Sequence, residues 1–537
     1  MNMNLKNIFA VFLLPLALGS CSDSFLQTDS PNEPSAGTYW QTEDDALMAL
    51  TACYDAMQSQ NLYDDNIDGW RFGFLGRETS TDNGDHTWGD WMLGSSIARG
   101  TSATTDECFS MYWNANFEVI KRCNLLTDNI DRVPMEAAKV AAYKAEAIAL
   151  RALAYCNLTS VFRDVPYLTE SLTLSNPTAA KTPREQIVAS IVADMQATVA
   201  DIPAKGQAAT GRMTREAAYA ILGRIALFNR KWDVAIDAYR QVVGKVSLFR
   251  SGDGKDFHKN FADLFTQANE TADEVLLSIH YKSGKVGEGS CFGVCWSGPM
   301  NAIEASMNLC DDYYCTDGQP IDKSPLFKGS LAKGGHTKAA PDYARYENRD
   351  PRMKGTLMLP GMTWNGREYT NDLPASSTCC IRKWYTPEDT ANEYDGGLDY
   401  YVIRYAEVLL SLAEAMIEKG GYPQAEITRH INEVRARVGM PAVEDVATEG
   451  TNLSQEQLRA IVRHERRVEL AFEDLRFADL YRWGEWENGV KRMQHDKEFY
   501  GFGCYERAYR GPQDLVWPIP QGEIDTNDLL EQHAEWK

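Results

Sequence analysis

The sequence predicts a mainly α-helical protein built from packed helix pairs, with a large irregular region and few short strands between them. Two observations lead to this fold class. In the first and last thirds of the 537 residues, apolar and small residues recur at three- and four-residue spacing, which is the helical period. Between residues 251 and 400 that period fades, and Gly, Pro, Asp and Asn become frequent, as in long loops.

The N-terminus resembles a bacterial lipoprotein signal. In "MNMNLKNIFAVFLLPLALGSC", Lys6 precedes a short apolar run that ends in Leu18-Gly19-Ser20-Cys21. The run is shorter than the roughly 20 apolar residues of a membrane-spanning helix and suits a signal peptide. We predict a signal peptide over residues 1–20, and a lipidated Cys21 with a polar tether over residues 21–37. An ordinary signal peptide that happens to precede a Cys is the alternative.

Residues 38–250 are predicted to form an N-terminal helical part. Thr42 followed by three carboxylates indicates the start of a helix, and further helical stretches run over about 106–130 and 135–162. In "AAYAILGRIALFNRKWDVAIDAYRQVV", small and large residues such as Gly223 and Tyr239 stand where a tetratricopeptide helix pair places them.

Residues 251–400 are predicted to be a loop-rich, ligand-binding region. Within it, "DEVLLSIHY" has the composition of one short strand, and long ordered loops are often functional. Residues 401–537 form a second helical part, in which "YAEVLLSLAEAMIEKGGYPQAEI" predicts another, weaker helix pair.

The stretch "IVRHERRVELAFEDLRFADLYRW", residues 461–483, concentrates charge in an apolar setting. We interpret it as one mostly buried helix whose charges lie three or four residues apart in many pairs, as in ladders of ion pairs. We expect these charges to form a partly buried network that locks helices together. Val468 stands where a zinc protease motif HExxH would have its second His. The stretch therefore predicts scaffolding, and we expect no catalytic residues here.

Composition restricts the partners and cofactors. The net charge of −22 argues against nucleic acid as a partner and against a basic patch that binds a membrane.

The cysteines of "CFGVC" and "CDDYYC" could be read as a zinc site, but buried thiols or one or two disulfides are favoured. The loop "SGDGKDF" could supply oxygen ligands to calcium, yet a solvated turn is the preferred interpretation. We expect no cofactor and no metal.

The sequence resembles the SusD/RagB family of surface nutrient-binding lipoproteins. "RHERRVELAFEDLRFADLYRW" is similar to the C-terminal signature of that family. Other segments agree in the expected order, namely "FLQTDSP", "AEAIALRALAYCNLTSVFRDVPYL", "GRMTREAAYAILGRIALFNRKWDVAI", "YENRDPRM", "IRYAEVLLSLAEA", "INEVRARVGMP" and "LVWPIP". Arg163 departs from the pattern, because a Gly is common at its position. The resemblance covers essentially the whole mature chain.

The resemblance implies a tetratricopeptide-like superhelix with a large irregular region. It implies anchoring by the lipid on the outer face of the outer membrane, facing the cell surface. It also implies capture of oligosaccharides or polysaccharides and their delivery to a SusC-like TonB-dependent transporter, without catalysis. Some members bind peptides instead, so a peptide-binding protein is the first alternative. A surface glycoside hydrolase and a purely protein-binding scaffold are the others.

Six residues are predicted to contact a glycan. Trp and Tyr rings stack on the C–H faces of sugars, while Asn and Asp bind hydroxyls. The Gly-rich segment "TSTDNGDHTWGDWMLG" and the segment "CFGVCWSGPMN" combine these residue types. The predicted ligand contacts are Asn83, Asp85, Trp88, Trp91, Trp296 and Asn301. Trp364 is a weaker candidate.

Overall fold

The computed structural model describes residues 39–64, 71–86, 89, 92–173, 178–285, 287–291, 303–337, 340–364, 367–368, 379–384, 386, 394–503 and 505–537. The predicted fold class is confirmed, since 51% of the chain is helical and the strands are few and short. Among the described residues, no helix combines the length and apolar character needed to cross a membrane.

The α-helices are α1 (Glu43–Asp55), α2 (Phe74–Thr79), α3 (Ser95–Arg99), α4 (Glu107–Asn129), α5 (Ala137–Val161), α6 (Arg184–Thr198), α7 (Arg215–Phe228), α8 (Trp232–Arg240), α9 (Lys259–Ala262), α10 (Met307–Asp312), α11 (Pro351–Thr356), α12 (Tyr405–Lys419), α13 (Gln424–Arg437), α14 (Gln455–Leu470), α15 (Arg476–Trp483), α16 (Trp486–Tyr500) and α17 (Gln521–Thr526). The strands are β1 (Gly84–His86), β2 (Val165–Pro166), β3 (Lys181–Thr182), β4 (Val275–Ile279), β5 (Ile303–Ala305), β6 (Leu357–Met358), β7 (Thr363–Trp364), β8 (Arg367–Glu368), β9 (Cys380–Ile381) and β10 (Tyr400–Arg404).

The predicted helix start at Thr42 is confirmed as a capping box. The Thr42 hydroxyl accepts a hydrogen bond from the Asp45 backbone N–H at 3.3 Å, and the Asp45 carboxylate accepts one from the Thr42 N–H at 2.7 Å. Two N–H groups that the first helical turn leaves unpaired are thereby satisfied. This cap begins α1, which packs against α4 and α5.

The two predicted helix pairs are present and pack against each other. The first pair is α7–α8 and the second is α12–α13, and α12 lies against both helices of the first pair. A buried ion pair joins them, because the guanidinium of Arg224 on α7 donates to Glu407 on α12 at 2.7 Å. The two helix pairs therefore form one helical body, and the chain between α8 and α12 is a long insertion between them.

The chain between α8 and α12 contributes strands to small antiparallel sheets. Strand β10, which leads into α12, pairs with β4, and β4 lies within the segment where the sequence predicts a strand. A second sheet has the order β1-β5-β9-β6. It joins the segment after α2 to the middle of the loop-rich region, although β1 and β5 are far apart in the sequence.

The prediction of one continuous helix over residues 461–483 is wrong. The structure places two helices there, α14 and α15, with a break between them. In the break, Phe472 and Asp474 both have a φ of 62°, which lies outside the right-handed helical region.

Donors from a distant segment stabilise this break. The ammonium of Lys383 donates to the carbonyl oxygens of Glu469 at 3.2 Å and of Ala471 at 2.8 Å. The indole N–H of Trp384 donates to the carbonyl of Phe472 at 2.8 Å. These bonds satisfy carbonyl groups that the end of a helix leaves unpaired. The residue pattern of 461–483 does not indicate these bonds, because their donors lie in a distant segment.

The charges of this stretch are buried and paired, as predicted, but most partners are distant in sequence. Glu469 binds Arg404 at 2.7 Å, and Arg466 binds Asp479 across the break at 3.1 Å. Among the described ion pairs within the stretch, Arg482 with Asp479 is the one at three- or four-residue spacing. The charges therefore connect separate elements more than they stabilise one helix.

Arg163 has a φ of 61°. This left-handed conformation favours glycine, because a side chain there meets the following carbonyl oxygen. The backbone therefore gives a physical reason for a glycine at this position in the family pattern.

The nine cysteines that the structure describes are all buried, namely Cys53, Cys108, Cys123, Cys156, Cys291, Cys310, Cys315, Cys379 and Cys380. Burial is the arrangement expected for cysteines that act as small apolar residues.

Replacing Gly223 with Ala should destabilise the protein by about 1–3 kcal/mol, as overpacking of a core usually does. A Cβ atom there would lie 2.5 Å from the ring of Tyr239, which is fully buried. Urea unfolding followed by circular dichroism measures the change.

Gly522→Ala is the matched control, because it adds a methyl group to a helical glycine with no atom within 4 Å of the new Cβ. That variant should be as stable as the parent or slightly more stable. Equal stabilities of the Gly223→Ala variant and the parent would contradict the close helix contact.

Candidate ligand-binding loop and its anchor

The predicted ligand segment "TSTDNGDHTWGDWMLG" begins at the end of α2 and continues through β1. Its first residues are buried under the C-terminal helices. Asn83 is 1% exposed and Asp85 is 4% exposed. Neither side chain reaches the surface in this structure, so their contacts support a positioning role. Direct contact of either residue with a glycan stays a prediction.

Asn83 joins three segments of the chain. Its side-chain N–H donates to the Glu78 carboxylate at 2.9 Å, and its side-chain oxygen accepts from Arg467 at 3.1 Å. Its backbone carbonyl accepts from the Ser306 N–H at 2.9 Å. The residue thus attaches the start of the segment to α14 and to the end of β5.

Asp85 and His86 complete the buried strand β1. The Asp85 carboxylate accepts the His86 backbone N–H at 3.0 Å and lies 3.4 Å from a guanidinium nitrogen of Arg507. Burial lowers the pKa of His86 to about 3, so the imidazole is neutral at ordinary pH.

One arginine binds the backbone of the segment directly. Arg507 donates through one terminal nitrogen to the carbonyls of Ser80 at 3.0 Å and Thr81 at 2.8 Å. Through the other it donates to the carbonyls of Thr79 at 2.9 Å and Gly84 at 2.8 Å. A planar guanidinium can satisfy this many acceptors because its donors are fixed in one fork. The bend between α2 and β1 is held by these bonds.

Three further arginines surround Asp82, whose side chain is fully buried. Arg476 binds it at 2.7 Å, Arg492 at 2.6 Å and Arg467 at 3.3 Å. Burial alone would raise the pKa of Asp82, but the guanidinium groups outweigh it and hold that pKa well below its usual range. Sequence reasoning missed this anchor, although its arginines from residues 461–483 were recognised as structural.

The register of the small sheet places the end of β1 beside the start of β5. His86, the last residue of β1, lies opposite Ile303, the first residue of β5. The chain that carries Trp88 and Trp91 leaves β1 where the chain that carries Trp296 and Asn301 enters β5. By contrast, the chain toward Trp364 leaves β6 at the opposite end, because Met358 pairs with Cys380 and Cys380 pairs with Glu304.

Several predicted residues lie outside the described part of the chain. These are Trp88, Trp91, Trp296, Asn301 and the lipidation residue Cys21. Their predicted roles stay predictions. Within the described ranges, no group of three or more His, Cys, Asp or Glu side chains could hold a metal ion.

Glu78 should make stability depend on pH. Burial raises its pKa from 4.5 to about 7, so the folded state binds this proton more tightly than the unfolded state. Stability is then lost as the pH rises from about 4.5 through 7. Glu78→Gln keeps an acceptor for Asn83 and removes this loss, so it should be more stable than the parent at pH 8 by up to roughly 3 kcal/mol.

Urea unfolding at pH 4 and pH 8 measures the effect, and the Glu78→Gln variant should differ little from the parent at pH 4. The control is Glu531→Gln, where the side chain is 75% exposed. A gain at pH 8 in both variants, or in neither, would contradict the assignment to Glu78.

Comparison with known proteins places this arrangement in a family. A profile described as the SusD family matches residues 278–536, and one described as "Starch-binding associating with outer membrane" matches residues 46–227. A SusD-like protein of Formosa agariphila is 24% identical over 98% of both chains.

Solved structures agree with these matches. A SusD-like carbohydrate binding protein from Bacteroides fragilis aligns with a TM-score of 0.77 at 25% identity, covering 92% of this chain and 100% of that one. Surface glycan-binding protein A from Bacteroides uniformis aligns with a TM-score of 0.68 at 20% identity, with the same coverage of both chains. The chain belongs to the SusD/RagB family.

Proposed function

We propose that this protein is a cell-surface lipoprotein that captures oligosaccharides or polysaccharides and passes them to a SusC-like TonB-dependent transporter. Membership of the SusD/RagB family carries the proposal. It is supported by relatives described as carbohydrate binding and as surface glycan-binding, and by a matching profile described as associated with the outer membrane.

The register of the β1–β5 pair supports a location for the ligand site. Trp88 and Trp91 follow His86, and Trp296 and Asn301 precede Ile303, the residue opposite it. Two segments rich in aromatic and amide groups therefore start from neighbouring points of one sheet. Rings supply stacking surfaces for sugars, and a neutral glycan is insensitive to a net charge of −22. We assign these residues to the glycan site.

The arginine anchor fits this role. Arg467, Arg476, Arg492 and Arg507 hold the residues before Trp88 through buried bonds. A binding segment supported by a rigid base loses less conformational freedom when its ligand binds. Asn83 and Asp85 would then act on the ligand through the loop that they position.

Changing Trp88 or Trp91 to Ala should weaken glycan binding by about ten- to hundredfold, because each stacked ring contributes roughly 1.5–3 kcal/mol. The measurement uses residues 21–537 with Cys21→Ser, first by affinity electrophoresis against a polysaccharide panel and then by calorimetry. Phe257→Ala, which removes a ring that is 45% exposed outside both predicted segments, is the control and should bind normally.

Other outcomes identify the alternatives. Binding that is unaffected by both Trp changes would contradict the assigned site. Retention of cationic peptides instead of glycans, with an affinity that falls steeply with salt, would indicate a peptide-binding protein. Release of glycan fragments during the run would indicate a hydrolase, and no binding at all would favour a scaffold.

Replacing Cys21 with Ser should release the protein from the outer membrane, because the acyl chains attached there would supply the anchoring energy. Fractionation of cells, together with labelling by a radioactive fatty acid, measures this. Ser20→Ala, which keeps a small residue before Cys21, should remain labelled. Membrane retention of the unlabelled Cys21→Ser chain would contradict a purely lipid anchor.

A further inference from the structure

A cavity of about 460 Å³ lies in the helical body, away from the loop-rich region. It opens between the end of α5, the first turn of α6, the α7–α8 turn and α15. Five of its lining residues are basic and one is acidic, namely Arg163, Arg184, Arg230, Lys231, Arg482 and Glu185. This is a local concentration of positive charge on a chain whose net charge is −22.

Two of these cations already have carboxylate partners. Arg482 binds Glu414 at 2.6 Å and Asp479 at 2.7 Å, and Arg163 binds Glu535 at 2.9 Å. Their charges are therefore largely compensated without a ligand.

The other three cations are not compensated in this way. Within the described part of the chain, no ion pair involves Arg184, Arg230 or Lys231. The Arg184 guanidinium donates instead to the Asn229 side chain at 2.8 Å and to the Phe228 carbonyl at 3.3 Å. Glu185 lines the rim and is exposed.

The surroundings of Arg184 are consistent with an excess of positive charge. The Asp164 carboxylate is nearby but accepts the backbone N–H of Arg184 at 2.9 Å rather than its guanidinium. Burial lowers the pKa of Arg184, and the positive charges of Arg163 and Arg230 lower it further, while Cys156 and Asp164 partly offset these effects. The cavity thus holds charge that an anion could compensate.

Two of the arginines also have an unfavourable backbone conformation. Arg163 has a φ of 61° and Arg230 a φ of 57°, in the left-handed region that arginine rarely adopts. Each of them directly follows the C-cap of a helix, α5 or α7, where one left-handed residue commonly ends the helix. Here the two lie on different turns that meet at the same cavity.

We propose that this cavity binds an acidic sugar residue through its carboxylate group, as a second saccharide site in the helical body. This rests on the proposed glycan-capture function. Guanidinium groups suit planar and tetrahedral anions because their parallel N–H groups match two oxygens at once. The half-buried ring of Tyr481 and the buried Phe228 supply apolar wall for the C–H face of a sugar.

The size and shape of the cavity favour a small saccharide over a protein surface. About 460 Å³ lies within the usual range of pockets for small molecules. An acidic peptide segment of a partner protein shares the anionic chemistry, and the experiment below separates it from a sugar.

The test is calorimetric titration of residues 21–537 carrying Cys21→Ser. The probes are di- and trimers of galacturonic acid, the matching neutral galactose oligomers, inorganic sulfate and an acidic Glu-Gly hexapeptide. The galacturonate oligomers should bind more tightly than every other probe, and their affinity should fall with salt. In the double variant Arg230→Gln, Lys231→Gln the affinity should fall at least tenfold.

Two further variants separate binding from folding. Lys245→Gln removes one exposed positive charge outside the cavity and should change the affinity less than twofold. Arg230→Gly removes the same cation as Arg230→Gln but relieves the left-handed backbone. It should weaken galacturonate binding while unfolding at the same or a higher temperature than the parent.

Four results would overturn the inference: no galacturonate binding, equal binding of galactose oligomers, equal binding of sulfate alone, or tighter binding of the peptide. Galacturonate binding that survives in the double variant would place the site elsewhere and would overturn it as well. If a neutral polysaccharide is still retained through Trp88 and Trp91, the proposed function stands and only this inference fails.

Discussion

Burial of the Glu469 carboxylate among three arginines is the interaction on which the remainder of the structure depends. Arg352 at 3.0 Å, Arg404 at 2.7 Å and Arg437 bind this fully buried group. Burial alone would raise the pKa of Glu469, but these charges hold it well below its usual range. An unpaired buried ion costs several kcal/mol. The arginines belong to α11, β10 and α13, so the loop-rich region and both ends of the C-terminal helix pair must assemble together.

Further ion pairs and hydrogen bonds connect this cluster to the predicted ligand segment. Glu473 binds Arg404 and Lys383, each at 2.7 Å, which fixes the break between α14 and α15. Beyond the break, Arg476 on α15 reaches Asp82, while Arg467 on α14 reaches Asn83. The family signature at residues 461–483 thus works as a connector. It holds Asp82 and Asn83, at the start of the predicted ligand segment, in place.

Charged side chains have different surroundings in the scaffold and in the α5–α8 cavity. Many buried charges of the scaffold are paired with an opposite charge and hold the elements in place, whereas the cations of the α5–α8 cavity are partly uncompensated. The two proposed sites also differ in chemistry. One uses rings in segments that leave a small sheet, and the other uses guanidinium groups in the helical body. A fold of this kind can keep its scaffold while its sites differ, and the second proposed site includes Tyr481 and Arg482 from within residues 461–483.

The sequence by itself determined the fold class, the two helix pairs α7–α8 and α12–α13, the strand near Val275 and the structural nature of residues 461–483. These follow from local periodicity and composition, which adjacent residues carry. Only the tertiary structure decided that this stretch breaks at Phe472, which distant residues its charges pair with, and that Asn83 and Asp85 are buried. It also brought Arg184 and Arg230 to one cavity. Each of these depends on contacts between residues far apart in the chain, which no local pattern encodes.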